Sequence, residues 1–107
     1  MDCEYQRSPG NVATSALGFT VAVSGGMEVT VEYQEPGKLV SIPAERTRNG
    51  GIGLFMEWAN FPDATGADER RLIFERVVRA LWFLDIAISS TEIDPDQKTW
   101  PLPQRLS

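Results

Sequence analysis

Residues 46–62, RTRNGGIGLFMEWANFP, decide how this chain is read. Gly50, Gly51 and Gly53 lie within four positions, with Arg46 and Arg48 just before them. A phosphate cradle needs such glycines to follow a strand and open a helix, whose first amides point at the anion. Here Ile52, Leu54, Met56 and Trp58 alternate with other residues, which is strand spacing. Asn49-Gly50 suits a tight hairpin turn, because both positions tolerate positive φ. The glycines therefore turn the chain into a strand, and Gly53 marks a bulge or a close backbone approach.

The same period of two runs backward from this turn. Met27, Val29, Val31 and Tyr33 alternate with Glu28, Thr30, Glu32 and Gln34. Earlier, Leu17, Phe19, Val21 and Val23 alternate with Gly18, Thr20, Ala22 and Ser24. Ser24-Gly25-Gly26 and Glu35-Pro36-Gly37 separate the runs as turns. The segment KLVSIPA (38–44) forms a third strand with Val40 and Ile42 on one face. Pro43 has no N–H to give a ladder, so it belongs at a strand end or on an edge.

After Pro62 the period changes. Ile73, Val77, Ala80, Leu81 and Leu84, widened by Phe74, form one stripe at about 100° per residue, predicting a helix from about 66 to 84. Thr65 and Asp68 have capping-box spacing, and Asp68 and Glu69 suit the positive end of the helix dipole. Glu75 and Arg79 have ion-pair spacing on the outer side. DIAISS (85–90) reads as a last strand.

The expected fold is α+β: a mainly antiparallel sheet of about four strands, one helix and one strand, with the helix packed on one face. Residues 1–15 are read as a flexible leader, 16–92 as a single α+β domain and 93–107 as an extended proline-rich tail. The helix covers the face of Val29, Val31 and Tyr33, leaving Glu28, Thr30, Glu32 and Gln34 to water.

Composition narrows the chemistry. Among 107 residues there is no histidine, so Ser–His and Cys–His nucleophilic sites and the usual histidine zinc sites are excluded within it. The one cysteine, Cys3, cannot form an internal disulfide. Ten basic against fifteen acidic residues give a net charge of −5, which argues against nucleic acid as a partner and permits a basic protein. No apolar run reaches the roughly 20 residues of a membrane span, and the start MDCEYQRSPG lacks a signal pattern, so a cytoplasmic location is expected. DPDQK (94–98) lacks the glycine and final carboxylate of a calcium loop and reads as an acidic turn. No metal or cofactor is expected.

Candidate contact residues come from the surface pattern. Glu28 and Glu32 share one strand face with Thr30 between them, without the burial that paired catalytic carboxylates need. Trp82 lies opposite Ile73 on the helical wheel, beside Arg79, in the composition of an interface hot spot; the alternative is that the tail shields it. Trp58 and Phe61 pose the same choice between contact and core.

A hairpin-rich half with VTVEYQEPGKLVSIPAE (29–45), a strand ending in MEWANFP (56–62), a helix DERRLIFERVVRALWFL (68–84) and a closing strand resemble small immunity proteins encoded beside bacterial polymorphic toxins of contact-dependent or type VI secretion systems. The resemblance spans roughly residues 17–90. It implies a non-catalytic protein that binds and neutralises a cognate toxin, usually by occluding its active site. Contact residues in such proteins vary with the toxin, so the resemblance assigns none. Two alternatives stay open. One is a small histidine-independent enzyme or anion-binding domain using Arg46, Arg48 and the Gly50–Gly53 loop. The other is a self-associating homodimeric module that pairs through a sheet edge.

Overall fold

A computed structural model describes residues 5–26, 28–48, 50–56, 59–62 and 65–92. Six strands succeed one another as a meander: β1 (Tyr5–Ser8), β2 (Val12–Ser15), β3 (Thr20–Gly25), β4 (Glu28–Glu35), β5 (Lys38–Arg46) and β6 (Ile52–Phe55). The helix α1 (Ala67–Phe83) then leads to β7 (Ile88–Glu92), which lies parallel to β6. The result is a seven-stranded sheet in sequence order, curled into a half-barrel, with one helix.

This overturns the expectation of about four strands, a helix and one more strand. The additional strands are β1 and β2, and both lie inside the stretch expected to be a flexible leader. Pro9, Gly10 and Asn11 make the turn between them, and Gly10 and Asn11 take φ of 87° and 59°. Ala13 and Ser15 of β2 are buried. Tyr5 stacks on Phe83 at 5.3 Å and meets Phe19 edge-on at 6.1 Å.

The alternation seen in the sequence positions the rest. Val29, Val31 and Tyr33 are buried beneath the helix, and Glu28, Glu32 and Gln34 of the same strand are exposed. Val40, Ile42, Ile52 and Leu54 continue that inner face. Leu17 departs from the pattern at 64% exposure, because it sits in the β2–β3 turn beside Gly18, whose φ is 98°. The Pro-Gly turn appears as expected: Gly37 takes φ of 78°, and Glu35 pairs directly with Lys38.

The stripe Ile73, Phe74, Val77, Ala80 and Leu81 is buried, as the helical period requires, and Val78 joins it. The capping box does not form. Gly66 is the N-cap without a side-chain bond, and the Thr65 hydroxyl donates to the Pro62 carbonyl at 2.6 Å. Asp68 and Glu69 remain in the first turn, where they complement the dipole. Glu75 pairs with Arg71, at 3.6 Å, and not with Arg79.

A helix between β6 and β7 is what their parallel pairing demands, since a tight turn cannot join parallel strands. Gly51 lies against the incoming chain, so close that a Cβ there would stand 2.8 Å from the Ala87 carbonyl oxygen. The Ile52 amide donates to that carbonyl at 2.9 Å. The register shifts between Ile52 and Gly53, where β7 carries the extra residue, Ser89.

Candidate functional site

The glycine loop is a turn and not a cradle. The Gly50 amide donates to the Thr47 carbonyl at 3.1 Å and the Thr47 amide to the Gly51 carbonyl at 3.0 Å. Gly50 takes φ of 85°. The loop opens into β6, so helix-start amides are not offered to an anion here. Arg46 turns away as well, donating from Nε to the Gly26 carbonyl at 2.8 Å. Arg48 is exposed.

The charged groups divide between the two sides of the sheet. On the helix side, Lys38 pairs with Glu69 and lies 3.6 Å from Glu35, while Arg76 lies 4.0 Å from Glu35. Arg76 also donates from Nη1 to the Tyr33 hydroxyl at 2.7 Å and sits 4.7 Å from the Phe19 ring centre. Burial pushes the Tyr33 phenol above its ordinary pKa; Arg76 pulls it back in part, and Glu35 adds to the rise. This cluster clamps the helix to the β4–β5 hairpin.

On the other side, Glu28 and Glu45 stand directly opposite each other across β4 and β5, and Glu32 lies two residues beyond Thr30 on β4. All three are exposed, and none makes an ion pair among the described residues. Like charges in directly opposed positions destabilise a sheet.

Beside Glu28 and Glu45 the sheet is split. Pro43 was expected at an edge or a strand end, yet it lies within β5 between β4 and β6, paired with Thr30. The β5–β6 ladder stops one residue short of it, at Ala44–Leu54. Chain and sheet rejoin at Ser41, whose carbonyl accepts the Asn60 amide at 3.0 Å. Backbone groups alternate sides along a strand, so position 43 faces the same way as Ser41 and has no N–H to extend the ladder. A cleft of about 360 Å³ opens there, walled by Thr30, Pro43, Phe55 and Asn60 and rimmed by Glu28 and Glu45.

No protein family matches this chain. Nor does any curated protein or any solved structure. The chemistry of the site itself is therefore what bears on function.

The remaining residues picked from the sequence are scattered. Trp82 is half-buried and packs against the core, where the helical wheel had turned it outward. Arg79 is half-buried on the same helix. Phe61 also packs against the core, with the Arg70 guanidinium 5.4 Å from its ring centre. Trp58 lies outside the described residues, as do Cys3, the DPDQK segment and the tail from 93 onward. Among the described residues, Glu28 and Glu32 share the outer face of β4. Glu45, Pro43 and Asn60 were missed, because their meeting depends on strand register and on a bridge from a loop. No helix among the described residues is long and apolar enough to cross a membrane.

Proposed function

We propose that this chain is a non-catalytic protein-binding domain, an immunity protein that binds and neutralises a cognate bacterial toxin in the cytoplasm. The observation that supports this reading is the unpaired acidic face. Glu28, Glu32 and Glu45 stand exposed on one sheet surface without ion-pair partners among the described residues. The carboxylates of Glu35, Glu69 and Glu75, around the helix, each have a cation. Structural need thus accounts for the second set and not for the first. A surface of this sign would steer a basic partner toward it and fix its orientation on contact. The resemblance of residues 17–90 to immunity proteins points to the same class of partner.

Co-expression with the product of the neighbouring open reading frame tests the proposal. A stable one-to-one complex is expected, together with protection of the host cell from that product. Charge reversal by Glu28→Lys, Glu32→Lys and Glu45→Lys together should abolish both while the folded spectrum is kept. Undiminished binding and protection by the triple variant would remove the acidic face from the contact, and a missing complex would remove the toxin reading.

A further inference from the structure

The cleft beside Pro43 combines two features that rarely suit the same ligand. Its walls include the Pro43 ring and Phe55, which are apolar, and its rim carries the opposed carboxylates of Glu28 and Glu45. A side chain with an apolar stem and a cationic head satisfies both at once. We propose that the cleft receives one arginine side chain from a protein partner, with the stem against Pro43 and Phe55 and the guanidinium between Glu28 and Glu45. This inference rests on the reading of the outer sheet face as a partner-binding surface, and it names the anchor that surface accepts.

Three observations carry it. Glu28 and Glu45 face each other across the ladder and have no countercharge among the described residues, so an arriving cation relieves a repulsion the fold already bears. The cation next along the chain, Arg46, is held away by its 2.8 Å bond to the Gly26 carbonyl. The cleft also cannot be closed by the chain's own ladder, because Pro43 has no donor on that side. About 360 Å³ is ample for one long side chain. Arginine fits better than lysine, because its planar fork presents donors toward both carboxylates and it sheds water more readily.

The test is titration of the isotope-labelled full chain with a blocked Gly-Arg-Gly peptide, monitored by amide NMR shifts. A peptide with citrulline in place of arginine is the control, since it keeps the shape and loses the charge. Saturable shifts at Thr30, Ser41, Glu45 and Asn60 are expected with arginine and not with citrulline. The Glu28→Gln/Glu45→Gln double variant should weaken arginine binding by at least about tenfold, the loss expected for hydrogen bonds between charged groups. Equal response to both peptides, shifts centred elsewhere, or an unchanged double variant would overturn the inference. Its failure is separable from that of the toxin reading. If the neighbouring gene product still binds and the arginine peptide does not, the anchor is wrong and the function stands. If the peptide seats in the cleft and no toxin binds, the anchor stands alone.

Discussion

Arg76 donates from Nη1 to the Tyr33 hydroxyl at 2.7 Å, joining the middle of α1 to the buried side of β4. Tyr33 is fully buried, and burial is the main reason its phenol is pushed above the ordinary value. A group that stays protonated longer in the folded state stabilises the fold fully below its unfolded pKa. That contribution is lost as pH rises through the folded pKa, because the unfolded chain releases its proton first. Stability should therefore fall above about pH 10, the ordinary tyrosine value. Urea midpoints measured on either side of that pH should show a smaller alkaline loss in Tyr33→Phe than in the unaltered protein. Equal losses would mean that Tyr33 is not the group responsible.

The helix has one buried stripe, and substitution should reveal its sides. Leu81 is fully buried and Leu72 is 44% exposed. Leu81→Ala should cost about 2 to 5 kcal/mol, as core leucines do. Leu72→Ala should stay within about 0.5 kcal/mol. Chemical denaturation of the two variants checks this, and comparable losses would show that the stripe is wrongly placed.

Gly51 allows β7 to approach β6. A Cβ at this position would stand 2.5 Å from the Ser89 hydroxyl oxygen and 2.8 Å from the Ala87 carbonyl oxygen. The hydroxyl can rotate away, whereas the carbonyl is backbone and is already bonded to the Ile52 amide. Gly51→Ala should destabilise by about 1 to 3 kcal/mol, the range for overpacking. The melting temperature should fall accordingly, and faster exchange of the Ile52 amide should accompany it.

The N-terminal hairpin is part of the sheet, so removing residues 1–15 should be damaging. The deletion strips β2 from β3, uncovers a strand edge and removes the Tyr5 ring from Phe19 and Phe83. The truncated chain should aggregate or lose its cooperative thermal transition, as light scattering and circular dichroism would report. A truncated chain as soluble and as cooperative as the full one would restore the leader reading.

Much of the central sheet was legible because hydrophobic and polar residues alternate there without interruption. VTVEYQ shows the period of two plainly, and its burial in β4 keeps to that period residue by residue. The helix was equally clear in its 3.6-residue stripe. The first hairpin was not, because YQRS and VATS are short, mostly polar and built around small buried residues such as Ala13 and Ser15. The signal that did exist was the turn: Pro9-Gly10-Asn11 sits between two four-residue runs. Trp82 packs against the core although the wheel turns it outward, because a helical wheel fixes only an angle and not what lies beside the helix.

The sequence by itself determined which faces are apolar, where the chain turns and that histidine chemistry is absent, because each of these depends on residue identity and local spacing. Tertiary structure alone decided that Glu45 opposes Glu28 and that Asn60 returns to Ser41. It also decided that Pro43 falls where β6 has just left β5. Those meetings join residues up to 19 positions apart through register, and register is set by the packing of the whole inner face against one helix.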